Sequence, residues 1–269
     1  MSRYFRVFSF MGQVLGMVKQ NTTLLSPLLL NLVLAIPAMI VFTILYHFTQ
    51  DSVLGYVVAA VGLTGLYFID YFCNGLTVSL IYDQVTTGKA EFKPALSRTF
   101  AASPGILIFA AISAAFELMA TYARERDDIL GSILAGIVRA VWTAATYVVM
   151  PAMVIENTGF FNAFKRSKEL AENDPTQVGS GIIGMGLATY LLGLVCWGLG
   201  VGSFNVLGGV SPVLGIFAFM FFVNLYWAVG GYLKITYFTC FYMWARECER
   251  QGSSDPRLAP APLQAAMAS

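Results

Sequence analysis

Long apolar runs alternate along the chain with short stretches in which apolar and polar residues take opposite faces. Six runs, at about 24–48, 53–82, 104–122, 129–155, 178–206 and 212–244, reach or approach the roughly 20 residues a helix needs to cross a hydrocarbon core. A helix satisfies its own backbone there, so each run reads as a transmembrane span. Three other stretches, at about 4–19, 89–103 and 159–173, have the 100° periodicity of amphipathic helices. In the first, Tyr4, Val7, Phe8, Phe10, Met11, Val14 and Leu15 share an arc opposite Arg6, Ser9, Gln13 and Lys19. Such a helix lies in the membrane interface or packs on the protein's own bundle. In the second, Phe92, Ala95, Leu96 and Phe100 oppose Lys93, Ser97 and Arg98. In the third, Phe160, Phe161, Ala163, Phe164, Leu170 and Ala171 oppose Lys165, Arg166, Glu169 and Glu172, with Lys168 on the boundary.

The pattern predicts an all-α polytopic bundle of six spans and three interfacial helices. It forms one domain over residues 1–250, with a tail over 251–269 that has the composition of a disordered end. Pro37 is placed to kink the first span. The second is longer than a perpendicular crossing requires and must tilt or project. Glycine and other small residues fill the fifth, which predicts close approach of neighbours and a central position. Gly198 and Gly202 make a G-x-x-x-G within it, suited to internal packing or to a second copy. Each amphipathic stretch precedes a pair of spans, so three related units beginning near Phe5, Phe92 and Phe160 are a further expectation.

Composition agrees with the pattern: 57% of residues are hydrophobic and 12% charged, against about 25% charged in soluble domains. A net charge of +1 gives no global field toward nucleic acid. Charge placement is more informative. Arg3, Arg6 and Lys19, then Lys89, Lys93 and Arg98, then Lys165, Arg166 and Lys168, then Arg246, Arg250 and Arg257 all fall on one side of the expected spans. Only Arg124 and Arg126 fall in the opposite connections. The positive-inside rule then puts both termini in the cytoplasm. Cys73, Cys196, Cys240 and Cys248 form no C-x-x-C and read as packing residues rather than disulfides or metal ligands.

Ionisable residues inside spans are costly and mark candidate sites. Here they are Asp70, Glu117, Arg139 and Lys234. Glu117 and Arg139 flank the same outer turn at depths that differ by about 6 Å, within reach of an arginine, and are expected to pair. Asp70 and Lys234 form a second possible pair toward the cytoplasmic half. Either pair serves as a structural link between helices or as a polar path for an ion, proton or small solute. The stretch RAVWTAATYVVMPAMVIENTGFFNAFKRSKEL passes from an apolar run through Pro151 and Glu156 into an amphipathic helix. Glu156 is placed to cap that helix, whose positive dipole end favours a carboxylate. His47 lacks a triad or a ligand cluster, and G-x-S-x-G, H-E-x-x-H and P-loop motifs are absent, so enzymatic chemistry, a metal and a cofactor are not expected.

That stretch, with VLGMVKQNTTLLSPLLLNLV and NGLTVSLIYDQVTTGKAEFKPALSRTFAASPGILIFAAISA, resembles a family of six-span membrane proteins of bacteria and archaea designated only as a domain of unknown function. A similar frame occurs in membrane domains attached to some bacterial phosphodiesterases, and here it matches Trp142, Pro151, Glu156, Gly159, Ala163 and Ser167. The resemblance covers roughly residues 5–205 and implies a six-span fold in a prokaryotic inner membrane, with no assigned activity. Residue 11 and the long aromatic sixth span depart from the usual pattern. These features lead to an expected non-enzymatic scaffold or complex subunit. Its contacts would be membrane lipids and a protein partner or second copy, through the cytoplasmic helices, fifth span or tail. A small transporter or channel and lipid handling at the inner leaflet are the alternatives.

Overall fold

The computed structural model describes residues 6–124, 142, 148–173, 175–253 and 255–267. All regular structure among them is helical: α1 (Arg6–Gln20), α2 (Ser26–Thr49), α3 (Val53–Thr87), α4 (Phe92–Arg124), α5 (Val149–Glu156), α6 (Phe160–Asn173), α7 (Pro175–Gly208), α8 (Pro212–Gln251) and α9 (Ala261–Met267). Short 3-10 turns at Thr22–Leu25 and Pro256–Leu258 join the terminal helices to the bundle. Five segments, Thr22–Thr49, Val53–Thr87, Phe92–Thr121, Gly184–Gly208 and Pro212–Gln251, are long and apolar enough to cross a membrane. Most of the expected fourth span, 129–155, lies outside the described residues.

The core is concentrated at one end of the long helices, the end that carries most of the basic residues. There the second half of α3 (Leu76, Val78, Leu80, Ile81) meets Ala95 and Ile106 of α4, Val149 and Met153 of α5, and Phe238, Phe241 and Tyr242 of α8, all buried. Toward the other end large apolar side chains point outward instead, including Val33 and Phe48 of α2, Tyr56 of α3, and Trp197 and Val206 of α7. A band of this kind has no favourable place in water and matches the hydrocarbon contact of a membrane protein.

Several elements sit differently from the sequence expectation. The second amphipathic stretch and the third span are one continuous helix, α4, with Pro104 inside it. Its buried face is rotated: Ala95, Thr99 and Ala102 pack inward, whereas Phe92 and Phe100 are exposed. Small side chains at i, i+4 and i+7 let α4 approach α3 more closely than a phenylalanine face would. On α6 the buried stripe is Phe160, Ala163, Ser167 and Leu170, and Phe161 is exposed. The glycine-rich α7 is peripheral rather than central, packing chiefly on α8. Its close approaches are at Gly193 and Gly200, which receive Tyr226, Phe219 and Phe222. Gly198 and Gly202 face open space.

α1 takes the second of its two expected roles. Phe10 and Val14 are fully buried, and Phe10 meets the Tyr237 ring edge-on at 5.3 Å. The tail is ordered against the same helix: α9 packs along α1 with Leu263 buried, and the Trp244 indole donates to the Asp255 carbonyl at 3.0 Å. Asn21 donates to Gln84 and to the Ala90 carbonyl, both at 3.1 Å, tying α1 to the α3–α4 turn. Arg98 completes that corner with an ion pair to Asp83 at 3.0 Å.

At Gly105 a Cβ would sit 3.1 Å from the Met153 sulfur and 3.3 Å from the Phe160 backbone nitrogen, and backbone cannot yield as a side chain does. Gly105→Ala is therefore expected to destabilise the protein by about 1–3 kcal/mol despite alanine's better helix propensity. Gly186→Ala, with nothing within 4 Å, is expected to be neutral or slightly stabilising. Thermal unfolding of the two variants in detergent, read side by side, checks both.

Candidate functional site

Three helices each contribute one stripe of the same spacing to a cavity of about 640 Å³. Leu63, Tyr67, Asp70, Tyr71 and Asn74 come from α3, Phe109, Ser113, Phe116 and Glu117 from α4, and Trp227, Gly231, Lys234, Ile235 and Phe238 from α8. Steps of three and four residues keep every member of a stripe on one helix face. Trp142 and Met150 complete the described wall. Three of the four charged residues expected inside spans, Asp70, Glu117 and Lys234, thus line one space instead of two separate pairs. Arg139, and with it the expected Glu117–Arg139 pair, lies outside the described residues.

Asp70 is held by neutral donors. Asn31 of α2 donates to Oδ1 at 3.2 Å, and Asn74, one turn along α3, donates to Oδ2 at 3.1 Å. Lys234 lies within electrostatic reach but makes no direct ion pair with Asp70 among the described residues. On the facing helix, position 231 is glycine, and a Cβ there would come to 3.5 Å from Asn74 Oδ1 and 3.8 Å from Asp70 Oδ1. α8 thus faces the carboxylate at this level with backbone and no side chain. Sequence reasoning that counted only ionisable residues passed over Asn31 and Asn74. Amides interrupting apolar runs, as in LLLNLVL, are the signal that could have found them.

Beside Asp70 the wall is aromatic. Tyr71 stacks on Phe109 at 4.3 Å, and Phe116 stacks on Trp142 at 4.4 Å. The Tyr71 hydroxyl and the Trp142 indole both donate to Ser113 Oγ, at 2.9 and 3.3 Å. This shared acceptor ties α3 and Trp142 to α4. Trp142 also contacts Phe164 of α6, with ring centroids 6.1 Å apart.

The remaining residues of the Trp142 frame build the support beneath the cavity. Pro151 falls in the first turn of α5, where a missing N–H breaks no helical bond, and it is buried. Ala163 and Ser167 are fully buried on α6, and nothing lies within 4 Å of a Cβ at Gly159. Glu156 does not cap α6. α5 ends there, and Asn157 turns the chain in the left-handed region, φ 50°. That turn sends the Glu156 carboxylate toward α8, where it accepts the Tyr242 hydroxyl and lies 3.9 Å from Arg166 Nε. The Arg166 guanidinium also forks onto both oxygens of Glu249. Hydrogen bonding to Glu249 raises the Arg166 pKa above its usual value, so this cation keeps its charge at every accessible pH. No group of three or more histidine, cysteine or acidic residues suited to a metal occurs among the described residues.

A family model described as a family of unknown function, DUF6159, matches residues 48–252. The chain belongs to that family. The match takes in the whole cavity stripe of α3, α4 and α8 and the Glu156–Arg166–Glu249 link, and leaves out α1, nearly all of α2 and the tail. It extends through the end of α8. No curated protein and no solved structure matches.

Arg166 serves α5, α6 and α8 through a planar fork that an ammonium cannot reproduce. Arg166→Lys is expected to lower stability nearly as much as Arg166→Met, by about 1 kcal/mol given the partial exposure of both ends of the pair. Comparing the unfolding midpoints of the two variants checks this; full retention in the lysine variant would mean that charge alone suffices.

Proposed function

We propose that this protein is a multi-pass membrane transporter or channel for a small polar solute, with the cavity between α3, α4 and α8 as its binding site. The observation that carries the reading is the convergence of Asp70, Glu117 and Lys234 on one space of about 640 Å³. Charged groups inside membrane helices are retained against a cost of about 2.5–3.5 kcal/mol each on insertion scales. Ligand sites occupy about 300–1,000 Å³ and combine apolar walls with a few converging polar groups, as here. In this reading the chain has six spans, the fourth formed by residues 129–155. In the same reading both termini are cytoplasmic, which the distribution of basic residues supports, and the host is the inner membrane of a prokaryote.

The scaffold or subunit reading draws on a different feature, the outward Gly198 and Gly202 on α7, which leave room for a second helix. It has less support elsewhere, because α1 and α9 cover each other and the inner faces of α4 and α6 are spent on the chain's own core. In neither reading is the protein an enzyme.

A hydrated cavity admits a charged, membrane-impermeant thiol reagent. In a variant with the four native cysteines replaced by serine, Asn74→Cys and Ile235→Cys are expected to react in nanodiscs. Val195→Cys on the outward face of α7 is expected to stay unlabelled under lipid. Protection of both cavity cysteines would sink the solute reading.

A further inference from the structure

We propose that the cavity takes a zwitterionic solute of amino-acid size, its ammonium group at Asp70 and its acidic group at Lys234. The inference rests on the solute-binding reading above and names the class of solute.

Asp70 receives hydrogen bonds only from the neutral amides of Asn31 and Asn74 among the described residues. Two neutral donors orient the carboxylate without cancelling its charge. Lining the same cavity, the Lys234 ammonium lacks a direct anionic contact among the described residues. Away from water each charge gains most from a directly bonded opposite charge, and an uncompensated one is costly. A guest carrying only a positive charge would satisfy Asp70 and repel Lys234. One carrying only a negative charge would do the reverse. A zwitterion compensates both at once and leaves the cavity's net charge unchanged, while Glu117, the third charged residue of the wall, has contacts of its own. The aromatic residues beside Asp70, Tyr67, Tyr71 and Phe109, offer apolar surface to the body of the solute. Gly231 puts no side chain beside Asp70, and a Cβ there would lie 3.8 Å from Oδ1 and reduce the room for an ammonium.

Trp142 and Trp227 line the cavity and report on its occupancy by fluorescence. The full chain in nanodiscs is titrated with two matched sets of probes. One is L-leucine with 3-methylbutylamine and 4-methylpentanoate. The other is glycine betaine with choline and 3,3-dimethylbutanoate. In at least one set the zwitterion is expected to bind about tenfold or more tightly than either singly charged analogue. Asp70→Asn and Gly231→Ala are expected to weaken it toward the anion, and Lys234→Gln toward the cation. The comparison of probes on the unmodified chain stands even where a variant fails to fold. Equal binding of a singly charged analogue that depends on Asp70 or Lys234 would overturn the zwitterion and leave the solute cavity standing. So would silence from all six probes while Asn74→Cys and Ile235→Cys remain reactive. Silence together with unreactive cysteines would remove both readings. Binding that none of the three variants changes would place the probe elsewhere and overturn the assignment.

Discussion

A carboxylate halfway along a membrane-length helix has to be solvated by protein, and much of this architecture follows from how Asp70 is solvated. Two amides from two helices supply the hydrogen bonds. They fix the rotation of α2 against α3, because Asn31 reaches Asp70 only when its face of α2 turns inward. Gly231 of α8 faces this cluster without a side chain. A salt bridge in place of the amides would have closed the space. Neutral donors hold the group in place and leave its charge to be answered from the cavity.

The two ends of the bundle are built on different terms. At the basic end apolar packing is continuous from Leu24 through Phe238 to Leu263, and two arginines there are paired: Arg98 with Asp83 and Ser79, Arg166 with Glu156 and Glu249. Toward the other end many large apolar side chains of the long helices face outward. The cavity lies where the two regimes meet. Arg166 and Tyr242 join α5, α6 and α8, so Phe109 and Trp142 of the aromatic wall, backed by Phe160 and Phe164, stand on a cross-linked base.

What the sequence made legible was the class of structure and the residues of consequence more than their arrangement. Long apolar runs identify α2, α3, α7 and α8 directly, since length and hydropathy alone carry that signal. Rotation about a helix axis is harder. On α4 the phenylalanines and the small residues define competing faces, and close approach to α3 favours Ala95, Thr99 and Ala102. Glycine content placed α7 at the centre, whereas only Gly193 and Gly200 meet a neighbour's ring and the other face lies open. Asp70, Glu117 and Lys234 were visible because charge is rare in such helices. Their convergence was not, because it depends on how three helices are staggered, which no single stretch of sequence records. Glu156 was placed at a helix start by its spacing, and the left-handed turn at Asn157 redirected it.

The pairing of α1 with α9 links the first described helix of the chain to the last. Among the described helices α1 is synthesised before the long apolar ones and α9 after them. The apolar stripe around Phe10 and Val14 therefore has only part of its final cover until α9 has been made, whatever the order in which the spans insert. Docking of α9 on α1 is thus a late contact, and a nascent chain that has not yet made α9 shows part of that stripe.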